Sequence, residues 1–266
     1  MGLGWLGKPL GEFLLKKGFE LHGSTTTVEK AERLKKKGIN AYPFFLNPTP
    51  EGEGGREIFD ADVLIINIPP QLRSKSEDFH LLQIEALRRF VELRRIPKVI
   101  FISATSVYPD LNREAFESDI LTSSTAGNRT LFEAENLLRK HKRYKLSVIR
   151  LGGLLGDDRI PGMYVSNKEG VVGHAPVNYI HRQDAIRLIH WVIENGLWNQ
   201  TFNGVAPFHP LRREVYEKNA KELGFAAPLS YEFPPIQPWK VVSSKKILET
   251  GFTFIHHPLY FTYLLP

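Results

Sequence analysis

The 266-residue chain contains no cysteine. Disulfides, thiolate nucleophiles and cysteine-ligated metals are thereby excluded, and a cytoplasmic location is favoured. No apolar run approaches the ~18 residues of a membrane-spanning helix, so no membrane partner is expected. The apolar residues near the N-terminus are interrupted by Gly, Lys and Pro and follow no basic segment, so they do not read as a secretory signal. No repeat or low-complexity tract is visible. His174, His181, His209, His256 and His257 follow no zinc-ligand spacing, so no metal is expected.

What is present describes a folded, soluble chain. Hydrophobic residues make up 42% and charged residues 24%, enough for one large domain or a domain with a small appendage. The net charge of +6 suits an anionic small ligand. The basic runs Lys35-Lys36-Lys37 and Arg139-Lys140-His141-Lys142-Arg143 fall at predicted helix ends, where cations complement the helix dipole. They carry no interleaved aromatics of the kind that stack on bases, so nucleic acid is not an expected partner.

The most informative stretch is the first. Gly2, Gly4 and Gly7 have the G-x-G-x-x-G spacing of a dinucleotide-binding turn. The first glycine permits the tight turn, the second lets a pyrophosphate approach bare backbone, and the third lets the next helix pack closely. A helix predicted over 5–17 would aim its free N–H groups at the phosphates. The fingerprint should follow a β-strand, yet only Met1 precedes it. Either that strand is missing, or it begins upstream, or another segment fills its slot.

Strands are expected at 19–23, 39–45, 61–68, 98–103 and 146–151. Helices are expected at 28–37, 79–94 and 126–141, with a Pro/Gly-rich loop at 47–55. This alternation predicts an α/β fold, a Rossmann-type doubly wound parallel sheet. After residue 156 the rhythm breaks into loop. Helices follow at 184–194, 212–223 and 244–249, with a short strand at 201–203, a proline-rich stretch at 233–238 and an aromatic tail. We read residues 1–156, with 178–206 returning, as the NAD(P)-binding domain. Residues 157–177 and 207–266 form a smaller α+β substrate or cap region. Where NAD-specific folds place an acid on the adenine ribose, this chain has Ser24, Thr25 and Thr26, with Lys30 and Arg33 nearby. That favours NADP over NAD.

Several segments together resemble the extended short-chain dehydrogenase/reductase superfamily, of the NAD(P)-dependent epimerase/dehydratase type. The opening glycines are similar to its cofactor turn in atypical members. Phe101-Ile102-Ser103-Ala104-Thr105-Ser106-Val107-Tyr108 resembles its fifth strand, and Arg150-Leu151-Gly152-Gly153 its sixth. Asn178-Tyr179-Ile180-His181-Arg182-Gln183-Asp184 is similar to its Asn-x-Ile-His-x-x-Asp segment. The resemblance implies a cofactor held along Gly2, Gly4, Trp5, Leu6 and Gly7. Ser24, Thr25 and Thr26 would lie near the adenine ribose, and Ile68 and Pro69 beside the adenine. Arg129, Gly152 and Gly153 would lie near the nicotinamide. It also implies a sugar-nucleotide or other carbonyl/hydroxyl substrate and a monomer or homodimer.

The family's Ser/Thr, Tyr and Lys do not match. The Ser/Thr position falls on Ala104, flanked by Ser103 and Thr105. The Tyr-x-x-x-Lys positions fall on Thr125 and Arg129. Thr125 has no phenol, and Arg129 stays charged at any working pH. Ser103, Thr105, Thr125 and Arg129 are therefore the candidate catalytic residues of a degenerate site. The alternative is a catalytically silent dinucleotide sensor or scaffold.

Overall fold

The computed structural model describes residues 1–70, 75–140, 143–233 and 237–259. His141 and Lys142 of the second basic run, Pro234, Pro235 and Ile236 of the proline-rich stretch, and the aromatic tail from residue 260 lie outside the described residues. Two compact units emerge. One comprises Met1–Val107, Thr122–Ile149 and Ile189–Thr201, the other Tyr108–Leu121, Arg150–Leu188 and Phe202–Pro266.

In chain order the elements are α1 (Gly7–Lys16), β1 (His22–Thr25), α2 (Val28–Lys35), β2 (Asn40–Asn47), β3 (Thr49–Gly52), α3 (Gly55–Ile58), β4 (Val63–Ile66) and α4 (Glu77–Leu93). Then come β5 (Lys98–Ala104), β6 (Arg113–Ala115), α5 (Arg129–Arg139), β7 (Lys145–Leu151), β8 (Gly153–Leu155), β9 (Tyr179–His181) and α6 (Arg182–Glu194). β10 (Thr201–Gly204), α7 (Arg212–Leu223), β11 (Lys240–Val242) and α8 (Lys245–Leu248) complete the chain.

The first unit is built on parallel strands. β1 pairs with β2, and β4 with β5, in parallel register. Within this unit the strand orders are β1-β2-β3 and β7-β5-β4. Residues 1–3 join them. Leu3 donates its N–H to the Ser24 carbonyl at 2.9 Å, and Asn67 donates to the Met1 carbonyl at 3.1 Å. The Met1 amino group reaches the Ile65 carbonyl at 2.8 Å. Residues 1–3 thus fill the slot between β1 and β4, which gives the doubly wound order expected for a dinucleotide fold. Leu3 also packs with Ala31, Leu34, Ile39 and Ala41 in a buried cluster.

Several boundaries differ from the sequence pattern: the strand expected at 19–23 is His22–Thr25, and the helix expected at 126–141 is Arg129–Arg139. The first helix starts at Gly7 rather than residue 5, because residues 2–6 are spent on the turn. The loop expected at 47–55 contains β3, which folds back antiparallel on β2. Pro50 is tolerated there because an edge strand need not donate every N–H. Gly52 ends β3 at φ +95°, where a Cβ would lie 1.9 Å from the Pro43 carbonyl oxygen.

In the second unit β6 pairs with β11, and β8 with β9, both in parallel. Asn178 clips β11 in place. Its Nδ2 donates to the Lys240 carbonyl at 2.9 Å and its Oδ1 accepts from the Val242 N–H at 2.7 Å. A strap at residues 252–257 is tied to the start of α6. The fully buried Asp184 carboxylate accepts from the N–H groups of Ile255 and His256 and from the Arg187 guanidinium. His181 and His256 place their ring centroids 3.9 Å apart.

Burial, and then the neighbouring His256, push the His181 pKa down to about 4. A depressed base is neutral in the folded state and must be charged at a cost as pH falls. Its contribution is fully present above the unfolded value near 6.5 and is lost as pH falls through about 4. Thermal stability should therefore fall as pH is lowered from about 6.5 towards 4. His181→Asn should flatten the profile; an unchanged slope in the variant would contradict the assignment.

Candidate dinucleotide-binding site

The turn at residues 2–7 is set by steric contact before any ligand is considered. Gly2 has φ +89°, and a Cβ there would lie 2.2 Å from the Asn67 carbonyl oxygen. A Cβ on Gly7 would lie 2.0 Å from the Gly2 carbonyl oxygen. Only glycine fits either position, for reasons of backbone packing. Gly4 is different. It is exposed, and a Cβ there would meet nothing within 4 Å. Its bare backbone borders open space. Asn67 and Ser24 brace the turn from both sides: Asn67 Nδ2 donates to the Gly2 carbonyl at 3.2 Å, and the Gly2 N–H donates to Ser24 Oγ at 3.0 Å. The first turn of α1 carries no acidic residue, which leaves its positive end unneutralised.

A cavity of about 330 Å³ opens in front of this turn, lined entirely from the first unit. Its wall takes Gly2 and Gly4 from the turn, Ser24, Thr25, Thr26 and Lys30 from the end of β1 and the start of α2, and Ile68 and Pro69 from beyond β4. Among the described residues its lining holds no aspartate or glutamate. The residues expected to contact the two phosphates, the adenine ribose and the adenine thus share one cavity. Trp5, Leu6 and Gly7 do not line it; Leu6 and Gly7 are buried behind the turn. Arg33 is exposed and outside the lining. The geometry fits a diphosphate: bare amides, an unneutralised helix end and no carboxylate to repel it.

Sequence reasoning missed Asn67, Phe45, Asn47, Lys75, Phe79 and Gln83, which also line the cavity. Asn67 had a readable signal, as the polar residue that ends an apolar strand just before Pro69-Pro70. The others had none, because they come from the β2–β3 hairpin and the approach to α4.

The candidate catalytic residues have other commitments. Ser103 is 4% exposed, and its Oγ donates to the Glu135 carboxylate at 2.7 Å. Glu135 pairs with Arg139 at 3.0 Å, and Arg139 reaches Thr201 Oγ1 at 2.8 Å. Ser103 is thus the end of a buried polar chain onto α5. Thr105 is buried in a single 3-10 turn. Thr125 is exposed and exchanges hydrogen bonds with Thr122. Arg129 is exposed at the start of α5, behind an Asn128 cap. In the second unit, Gly152 and Gly153 are small because strands approach there. A Cβ would lie 2.4 Å from the Asn178 carbonyl oxygen at Gly152 and 2.6 Å from the Tyr179 ring at Gly153. Tyr108 is wholly buried. Its hydroxyl donates to Asn203 Oδ1 and accepts from Arg150 Nη1, both at 2.8 Å, and burial pushes its pKa up.

The architecture is that of the extended short-chain dehydrogenase/reductases of the epimerase/dehydratase type. A UDP-glucose 4-epimerase of Thermus thermophilus, solved in complex with NAD, superposes with a TM-score of 0.72 at 13% identity, over 96% of this chain and 93% of that one. The human epimerase family protein SDR39U1, solved with NADPH, superposes at 0.68 and 15% identity, over 95% and 92% of the two chains. No family model matches the sequence. By sequence the chain belongs to the family of Protein YeeZ of Escherichia coli, to which it is 30% identical over 257 residues, 96% of this chain and 94% of that protein.

The two kinds of glycine predict different outcomes on substitution. Gly7→Ala should destabilise the protein by about 2 kcal/mol or more in chemical denaturation, since backbone must move. Gly4→Ala should leave stability within about 0.5 kcal/mol while weakening dinucleotide binding. Equal losses of stability in both variants would contradict the geometry.

Proposed function

We propose that this protein binds a nicotinamide dinucleotide, with NADP(H) favoured over NAD(H). We further propose that it acts as an epimerase/dehydratase- or reductase-like enzyme on a sugar-nucleotide or other carbonyl/hydroxyl substrate. The observation that carries the reading is the acid-free cavity bordered by the exposed backbone of Gly4. In this reading Gly2, Gly4 and the start of α1 hold the diphosphate. Ser24, Thr25 and Thr26 hold the adenine ribose, Ile68 and Pro69 flank the adenine, and Arg129 anchors the far ribose or phosphate. The bound cofactor supplies reversible hydride transfer at its nicotinamide ring. The epimerases of like fold that carry NAD or NADPH support this choice.

A second reading is a dinucleotide-binding sensor without turnover. Two observations favour it: the Tyr-x-x-x-Lys positions hold Thr125 and Arg129, and the Ser103 hydroxyl is engaged by Glu135. An aliphatic hydroxyl and a permanently charged guanidinium do not exchange protons near neutral pH.

Four tryptophans make fluorescence titration direct. NADPH should bind more tightly than NADH, and no saturation by either would remove both readings. Arg129→Ala should weaken binding by about 1 kcal/mol, the scale of one charge-assisted hydrogen bond; unchanged affinity would take Arg129 out of the site. Hydride exchange into labelled cofactor in the presence of nucleotide sugars then separates enzyme from sensor.

A further inference from the structure

We propose that the cavity beside β6 and β11 binds the primary ammonium group of a small aliphatic amine, seated among Glu114, His209, Ser243 and Ser244. The inference concerns the second unit alone and does not rest on the dinucleotide reading.

This cavity measures about 600 Å³, within the range of roughly 300–1,000 Å³ usual for small-molecule sites. The four residues line it, and all belong to the second unit. The strand ladder gathers them. Glu114 and Val241 are cross-strand partners, so their side chains stand on one face. Ser243 follows Val241 by two residues, which returns it to that face, and its N–H donates to the Ala115 carbonyl at 2.9 Å. His209 lies close enough to Glu114 to feel its charge.

The polar atoms gathered there are unclaimed. Ser243 is 6% exposed and Ser244 4%. Their carbonyls are engaged, by Asn203 Nδ2 at 3.0 Å and the Leu248 N–H at 3.2 Å. Neither hydroxyl has a hydrogen-bond partner among the described residues, and neither is sealed from the surface. A hydroxyl on a residue so deeply set is normally paired, so two free ones in a cavity wall mark a place for ligand atoms. His209 donates from Nδ1 to the Val177 carbonyl at 2.9 Å, which leaves a lone pair on Nε2. Burial holds its pKa below that of an ordinary histidine, so the ring is neutral and accepts. The Glu114 carboxylate is exposed and has no ion-pair partner among the described residues.

A carboxylate, an imidazole nitrogen and two hydroxyl oxygens all accept. An ammonium is their complement, with three donors and no acceptor. Charge agrees. Glu249 answers Lys245 at 3.8 Å, which leaves Glu114 as the uncompensated charge of the described lining. Pro207, Val241 and Leu248 add an apolar wall for a hydrocarbon stem.

Saturation-transfer NMR on the full chain tests the site with n-butylammonium, tetramethylammonium, butyrate and glucose. Butylammonium should bind saturably, and more weakly at high salt. Tetramethylammonium carries the charge without N–H donors and should bind about tenfold more weakly, while butyrate and glucose should give no transfer. Glu114→Gln should weaken butylammonium binding about tenfold, and Ser243→Ala and Ser244→Ala about fivefold each. All three variants should keep the wild-type affinity for NADPH. Glu114 is exposed, so Glu114→Gln should also keep the wild-type melting temperature and reads the site even where a serine variant folds poorly. No saturation by butylammonium, equal binding of tetramethylammonium, preference for butyrate or glucose, or an unchanged affinity in Glu114→Gln each overturns the proposal.

Discussion

The structure depends on a backbone contact that admits no side chain. Gly2 lies against the Asn67 carbonyl, and Gly7 against the Gly2 carbonyl, each too close for a Cβ. That pair of contacts turns the chain from the strand slot into α1 within a few residues. It also fixes where the amides of the turn face. The Asn67 side chain and the Ser24 hydroxyl hold the same turn from β4 and β1, so the glycine loop and the centre of the sheet are one object. Gly4 needs no such explanation from packing; open space in front of it is what a ligand-facing glycine leaves.

Polar groups elsewhere are spent differently. Glu135 is fully buried, and Ser103 and Arg139 both answer it, so the hydroxyl at the end of β5 serves the seating of α5. Tyr108 is likewise held between Arg150 and Asn203. Buried polar groups in such networks are costly to leave unpaired, which makes these residues poor candidates for a mobile proton. The cavity in front of Gly4 shows the opposite arrangement, with the Thr25 hydroxyl lacking a hydrogen-bond partner among the described residues.

Much of this was legible in the sequence, for identifiable reasons. Glycine spacing, apolar runs such as 63–66 and 99–101, and their alternation with amphipathic helices announce a wound sheet, because burial on both faces leaves a continuous apolar signature. Ser24 to Thr26 and Ile68-Pro69, expected near one another, line a single cavity because strand ends converge in such sheets. Less was visible where tertiary contact overrides local pattern. β3 hides in a Pro/Gly-rich stretch, since an edge strand tolerates Pro50. At Gly152 and Gly153 the room a side chain would need is taken by Asn178 and Tyr179, a packing constraint with no sequence motif of its own. Lys75 carries no motif at all; only the fold brings it into the cavity lining.

The Asp184 clamp bears on the order in which the molecule can be completed during synthesis. Asp184 finds its backbone donors 71 and 72 positions later, and Asn178 finds Lys240 and Val242 more than sixty residues on. Every described residue lining the cavity in front of Gly4 lies within the first 83. On the ribosome, the cavity wall is translated early, whereas the buried carboxylate of the second unit waits for donors some seventy residues further along the chain.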